Sequence, residues 1–348
     1  MIEMSSPLRL RIDARALVAN WRWLAGQSGG AACGAAIKAD AYGLGAREAM
    51  RHLAAAGCRD FFVATWAEAA ALMPLPPGVS LSVLHGVGAT DMVAARLLPA
   101  RPVLNSVEQA LRWREGGERR PCDVMVDTGM NRLGLTVAEA TGGALEGLAV
   151  DTLLSHLASA DEDSEQNARQ LGVFRAVRDA VPARRYSLAN SAGICLGREY
   201  GFDLTRPGLA LYGGVPRPEA AGHLAQVVTP EARVLQVRHV EAGETVGYGA
   251  TWTAPSPTRI AVVNMGYADG YLRCHAGSGG AAAGDGRTRP LVGRVSMDLT
   301  AFDVGDADIA DGDWLAIDYH LPATAQRSGL SQYELLTGLG ARFDRIWR

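Results

Sequence analysis

Lysine is almost missing from this chain: among 34 lysine and arginine residues in 348 positions, only Lys38 is a lysine. The scarcity excludes a general need for ammonium groups and makes the exception informative. A guanidinium stays protonated in a protein, whereas a lysine amine can release its proton and attack a carbonyl carbon. Lys38 is therefore a candidate covalent nucleophile. A lone lysine on a polar helix would read as a solvated surface group. Residues 31–37, however, are small and apolar without a helical stripe, which predicts a buried strand running into Lys38. Other absences narrow the function classes. With a formal net charge of −3 there is no basic excess to attract nucleic acid. No run of roughly 18 apolar residues occurs, and the amino-terminal stretch has no uninterrupted apolar core, which predicts a cytoplasmic protein without membrane contact. The five cysteines are scattered, with no CxxC pair, and no histidine cluster has ligand spacing. Neither a disulfide framework nor a metal site is expected. No GxGxxG follows the first apolar run, which argues against a dinucleotide site.

What is present is a hydrophobic content of 48% and 41 glycines, enough for a large core and two domains. Short apolar runs at 32–38, 60–64, 81–85, 102–104, 123–127, 152–156, 185–189 and 204–206 alternate with helical patterns such as 46–56 and 167–180. Eight strand and helix units of this kind predict an α/β fold with an N-terminal (β/α)8 TIM-like barrel over residues 1–225. From about residue 226 the texture changes to β-rich runs at 231–240, 258–264, 291–295 and 314–318, separated by Gly, Pro and Asp turns. Residues 226–348 are expected to form a C-terminal all-β domain, with 1–12 a candidate to pair with it. The Gly/Ala-rich stretch 277–286 reads as a flexible surface loop, and the acidic cluster around Asp161 follows a strand end.

Barrel active sites gather at the carboxyl ends of strands. Polar residues collect there in this sequence: Lys38, the run from Asp127 to Arg132, His156, Asn190 with Ser191, and Arg206 with Gly208. Each has an ordinary structural explanation by itself, but together they mark one rim. Seven motifs carry a resemblance over nearly the whole chain. They are Ile37-Lys-Ala-Asp-Ala-Tyr-Gly43, Asp127-Thr-Gly-Met-Asn-Arg-Leu-Gly134, Ala189-Asn-Ser-Ala192, Arg206-Pro-Gly-Leu-Ala-Leu-Tyr-Gly213, Gly247-Tyr-Gly-Ala-Thr251, Gly266-Tyr-Ala-Asp-Gly270 and Gly293-Arg-Val-Ser-Met-Asp298. In this order they resemble the alanine racemases, enzymes dependent on pyridoxal 5'-phosphate (PLP).

The resemblance implies that Lys38 holds PLP covalently and that Tyr42, Ser191, Tyr333 and the amides of Gly208 and Leu209 grip its phosphate. It places Arg206 against the pyridine nitrogen. Because guanidinium is far more basic than pyridine, that nitrogen stays unprotonated and the ring is a weaker electron sink, which suits racemisation over transamination or decarboxylation. Inverting a carbon centre needs an acid/base on each face. Lys38 is implied on the D-alanine face and Tyr248, from the other subunit of a homodimer with shared active sites, on the L-alanine face. His156, flanking the ring, and Arg206 are candidates to give Tyr248 a cationic setting. The substrate carboxylate is expected to meet Arg132 and the amide of Met297, with Asp298 in support. Tyr267 and Tyr333 would narrow the entrance, with Asp161, Arg273 and Arg294 in a charged layer outside.

One departure stands out. Many members carry a carbamylated lysine seven residues before the motif arginine, where this chain has Met125. Arg132 must then be held by something else, a bound anion or a carboxylate such as Asp127. Three rival readings are a broader-range amino-acid racemase, a decarboxylase or lyase of the same architecture, and a non-catalytic PLP carrier. The paired tyrosines argue against long substrates, Arg206 against the decarboxylases, and the second domain with Tyr248 and Met297 against the carrier.

Overall fold

Runs such as Asp-Phe-Phe-Val at Asp60–Val63 are buried along their whole length, so they have no polar face to turn to water and pair as parallel strands enclosed on both sides. The computed structural model describes residues 6–116 and 119–348, so positions 1–5 of the expected pairing segment lie outside the described residues. Two compact units result, Ala16–Ala225 and a second made of Met1–Arg15 with Gln226–Arg348.

In the first unit seven strands pair in chain order: Ala35–Ala36, Asp60–Val63, Ser80–Val83, Arg101–Leu104, Cys122–Met125, Val150–Leu154 and Arg185–Ser187. The ring closes through Leu204–Thr205, which pairs with Ala32–Cys33. On its other side the amide of Asp203 donates to Tyr186 O (3.0 Å) and that of Arg206 to Ala189 O (2.9 Å). Gly34 interrupts the first strand because a Cβ there would lie 2.7 Å from Asp60 O. Phe62, Val103, Leu154 and Leu204 form one core cluster, joined by Leu84 and Met125. These four come from every second strand, the layering expected inside a closed eight-stranded barrel.

The opposite rim is polar in a different way. Arg185 reaches Asp60 (2.7 Å) and Asp151 (3.1 Å), and Arg101 reaches Asp151 and Asp123 (both 3.3 Å). Asp60, Arg101, Asp151 and Arg185 stand at or next to the amino ends of their strands. Removing any one would strand buried charge, so the ring stabilises that end while leaving the other free for chemistry.

In the second unit eight strands pair in the order Thr258–Val263, Thr300–Asp303, Thr288–Val292, Gly280–Ala282, Trp314–Ile317, Val228–Val240, Leu8–Ile12, Asp344–Trp347, and Val228–Val240 also pairs with Thr258–Val263. Two expectations need correcting. The stretch 277–286 is not all loop: Gly280–Ala282 is a strand between Thr288–Val292 and Trp314–Ile317, because small residues fit where Ala281 is fully buried. The unit also carries two helices, Leu321–Ser328 and Gln332–Thr337, the second capped by Ser331 and Glu334. Among the described residues no helix is long and apolar enough to cross a membrane.

His275 is buried in this unit with its ring stacked on Tyr271 (4.4 Å between centroids), and neither its Nε2 nor the Tyr271 hydroxyl finds a hydrogen-bond partner. Burial, with the Arg327 charge adding, pushes its pKa from 6.5 down to about 4. The folded value lies below the unfolded one, so this contribution to stability is complete above pH 6.5 and is lost as pH falls toward 4. His275→Phe keeps the stacking and removes the proton site. It is expected to lessen the drop in stability across that window by about 3 kcal/mol at most. Thermal unfolding at both ends of the window checks this, and parallel curves for variant and parent would reject it.

Candidate active site

Strand Ala35–Ala36 is followed by Ile37, which precedes a turn, Lys38–Tyr42, so Lys38 opens that turn and is not the last residue of the strand as the sequence suggests. Ala39, Asp40, Ala41 and Tyr42 have φ of 51, 52, 54 and 57°, a left-handed turn of four consecutive non-glycine residues. Each such residue costs about 1–2 kcal/mol through the crowding of Cβ against the following carbonyl. The surroundings must therefore over-determine the turn. Ala41 N donates to Ile37 O and Gly43 N to Ala39 O (both 2.8 Å), Ala39 N donates to Glu68 Oε1 (2.8 Å), and Ala46 N donates to Asp40 Oδ1 (2.7 Å). Lys38 stands at one end of this turn and Tyr42 at the other. Burial, then the Arg132 charge, lowers the Lys38 pKa, with Glu68 opposing them. The neutral, nucleophilic amine is thereby easier to reach.

Tyr42 is buried, its ring 4.8 Å from that of Tyr212, which donates its hydroxyl to Ala36 O (2.9 Å). The hydroxyl of Tyr42 lies against Gly208, where a Cβ would be 2.2 Å from it. Ser191 opens the short helix Ser191–Cys195, whose first turn is capped by Asn190 Oδ1 accepting from Gly193 N (2.8 Å). Ser191 Oγ accepts from Gly208 N (2.9 Å) and Ala210 N (3.2 Å). The Gly208 amide, expected to meet the phosphate directly, is thus bonded to the serine. With both lone pairs of Ser191 Oγ taken, its O–H remains as a donor, which suits an anion. Tyr42, Ser191, Gly208 and Leu209 are brought together as a donor cradle with a glycine wall.

Arg206 is buried and donates to Ser187 Oγ and to Ser155 O (2.6 Å). Among the described residues it forms no ion pair, and the charge of Asp123 acts on it only from beyond ion-pair range. Burial lowers its pKa to about 10, so it remains a cation at neutral pH. A buried charge without a counter-ion is costly unless something placed beside it accepts from it. His156 is pushed down to about 3, first by burial and then by Arg206, Arg132 and Lys38. It is neutral at physiological pH, so it cannot lend Tyr248 a positive charge; Arg206 is left as the cation of the expected pair.

The loop bearing Arg132 answers the question raised by Met125. Met125 packs against the barrel core, and its thioether offers no anion to Arg132. Asp127, proposed as a partner for the guanidinium, accepts instead from Gly129 N and Met130 N (both 2.8 Å). Burial raises its pKa, but the loop amides outweigh this and leave it below the usual range. The base of the loop is pinned by Asp127 N to Leu135 O (2.8 Å) and Leu135 N to Met125 O (2.9 Å). Gln170, wholly buried, donates to Thr128 Oγ1 (3.1 Å) and His156 O (2.9 Å) and accepts from Ala158 N (2.8 Å). Arg132 is held through its backbone, and its exposed guanidinium makes no ion pair among the described residues. Gln170 escaped the sequence reading, although a glutamine in the stripe of Leu171, Phe174 and Val177 was a signal for it.

In the second unit Tyr248 is 69% and Met297 55% exposed. Arg294 packs its guanidinium over Gly249, where a Cβ would lie 3.2 Å from it. Arg273 sits 5.4 Å from the Tyr267 ring. The loops of Tyr267 and Met297 are bonded to each other, Tyr267 N to Ser296 O and Ala268 N to Met297 O (both 3.0 Å). Asp298 is not free: Arg342 joins it (2.7 Å) to the buried Asp269 (2.6 Å). Arg342 was not anticipated. Tyr333, on Gln332–Thr337, is 45% exposed. In the barrel unit Asp161 is exposed, while its neighbour Asp163 pairs with Arg217.

Taken together, a sole lysine with a lowered pKa, a buried guanidinium that makes no ion pair among the described residues and a donor cradle fit PLP. The family described as alanine racemase, N-terminal domain, matches residues 12–216, and alanine racemase, C-terminal domain, matches 227–347. The chain is 46% identical over 357 residues to the alanine racemase of Methylobacterium nodulans, covering 97% of this chain and 95% of that one. It is similar to two enzymes of Agrobacterium fabrum. The biosynthetic alanine racemase is 42% identical (98% and 93% covered) and the catabolic one 40% identical (97% and 91% covered). A solved structure, the alanine racemase of Bartonella henselae with covalently bound pyridoxal phosphate, superposes with a TM-score of 0.89 at 36% identity, covering 99% of this chain and all of that one.

Proposed function

This chain belongs to the alanine racemase family, and on that premise we propose how its own residues interconvert L-alanine and D-alanine. The observation that carries the reading is Arg206, a buried cation that makes no ion pair with a carboxylate among the described residues. Bound at this site, PLP supplies an electron-withdrawing ring that acidifies the α-carbon of the substrate. Arg206 would hold the ring nitrogen and keep it unprotonated, which would leave the ring a weak electron sink and favour prompt return of a proton to the α-carbon.

Lys38 anchors the cofactor. Once displaced by substrate, its amine takes or returns the proton on the D face, which its lowered pKa favours. The partner subunit's Tyr248 does the same on the L face. Arg132 and the amide of the partner's Met297 hold the substrate carboxylate, Tyr267 and Tyr333 narrow the access, and His156 packs as a neutral ring. The exposure of Tyr248 and Met297 in the isolated chain supports a homodimer in which a second copy covers them. An absorbance spectrum of the purified protein, followed by detection of D-alanine after L-alanine is added, tests the reading; absence of both the cofactor band and D-alanine would refute it.

The cradle gives a sharper expectation. Gly208→Ala pushes a methyl into the Tyr42 hydroxyl, so PLP affinity should fall about tenfold or more, while the same change in a Tyr42→Phe background costs less. Equilibrium binding of PLP to stripped protein measures both, and strictly additive losses would show that the two groups do not meet.

A further inference from the structure

We propose that Glu68 is a positioning residue for Lys38, acting through the peptide amide of Ala39; this rests on Lys38 being the residue that carries the cofactor. The Glu68 carboxylate divides its oxygens between two elements. Oε2 accepts from Ala64 N (2.6 Å) and Thr65 N (3.3 Å) just past the end of Asp60–Val63, and Oε1 accepts from Ala39 N (2.8 Å), the amide that follows Lys38. One side chain thus ties the left-handed turn to the neighbouring barrel strand.

The chain contains its own controls. Thr65 with Glu68 forms a capping box, as do Thr136 with Glu139 and Ser331 with Glu334. Among the described residues Glu139 accepts only from Thr136, and Glu334 only from Ser331, which is all that capping a helix requires. Glu68 alone of the three reaches across to another element. The place it reaches is the first residue of four held in a conformation that L-residues avoid. Asp40 secures the far end by accepting from Ala46 N (2.7 Å). Without Glu68 the Ala39 amide loses its acceptor and the turn is free to relax. Since Lys38 and Tyr42 sit at opposite ends of the turn, covalent attachment and phosphate grip weaken together.

The test compares the parent with Glu68→Ala and Glu68→Gln, the latter keeping an oxygen for Ala39. Each protein is stripped of PLP, its reassociation is titrated by absorbance, the adduct is reduced with borohydride, and the Lys38 peptide is weighed. Glu68→Ala should bind PLP about 10–100-fold more weakly, the range for losing a partner that orients a ligand, and should lose kcat with little change in KM for alanine. Glu68→Gln can keep its one oxygen for Ala39 only by turning its NH2 toward the amides of Ala64 and Thr65, so it should recover part of both. A purely structural role would lower the melting temperature and leave PLP affinity and kcat at parental values, and that result overturns the proposal. Weak binding by Glu68→Gln while its Ala39 amide stays protected from exchange overturns it too, since the carboxylate charge would then matter instead of the bond. Should the alanine variant not fold, exchange of the Ala39 amide in the stripped parent decides: protection supports the clamp and exchange at the rate of an unbonded amide rejects it. No adduct on Lys38 in the parent would overturn the underlying reading of the lysine itself, a result distinct from an adduct that forms equally well in all three proteins.

Discussion

Lys38→Arg should leave a folded protein that carries no covalent PLP and has lost more than about 10³-fold in kcat/KM, since it removes both the anchor and one acid/base, the latter alone being worth about 10²–10⁴-fold. The positive charge is preserved, so the loss isolates the chemistry of the amine. Burial and Arg132 lower the Lys38 pKa toward the neutral form, whereas arginine in the same place cannot shed its proton. It would instead add a third permanent cation to Arg132 and Arg206 around His156. The composition makes the experiment clean. With one lysine in the chain, borohydride reduction followed by intact mass measurement reports on that side chain and, at most, the amino terminus. A reduced adduct of the same mass in the variant, mapped away from the amino terminus, would sink the assignment.

Tyr248→Phe is expected to lower racemisation by about 10²–10⁴-fold while leaving PLP bound. The loss should be unequal: exchange of the α-proton of L-alanine slows more than that of D-alanine, because Lys38 still serves the D face. Equal slowing on both faces would count against two bases. The same residue tests the shared site. Mixed after reversible dissociation, inactive Lys38→Ala and Tyr248→Phe proteins form heterodimers with one intact site, and about a quarter of parental activity should return if subunits reassort at random. No recovery despite proven exchange would show that lysine and tyrosine come from the same subunit.

Much of the architecture was legible because it depends on local pattern. Apolar runs of period two or less, ended by Gly, Pro or Asp, place the barrel strands within a few residues, and Ser191, Arg206 and Gly208 declare themselves by standing at strand ends. The misreadings share a cause. His156 was given a charge because its environment could not be seen, and burial beside three cations takes that charge away. Asp127 is one of the two holders the sequence offers for Arg132, beside a bound anion, yet its carboxylate is taken by the amides of its own loop. The stretch 277–286 reads as a loop because glycine and alanine have little strand propensity, yet tertiary packing selects them where Ala281 must be buried.

The sequence by itself determined which group can perform covalent chemistry, since a lone amine among arginines follows from composition, and it determined the alternation that makes a barrel, since that is a matter of period. Only the tertiary structure decided how the lysine is aimed. The left-handed turn from Ala39 to Tyr42 is held from outside: the carboxylate of Glu68 on the Ala39 amide and, in the second unit, the bridge from Arg342 to Asp269 and Asp298 join residues separated by 29 to 73 positions. Hydrogen bonds and ionic contacts of that reach depend on angles and distances of tenths of an ångström, which no local pattern of residue types encodes.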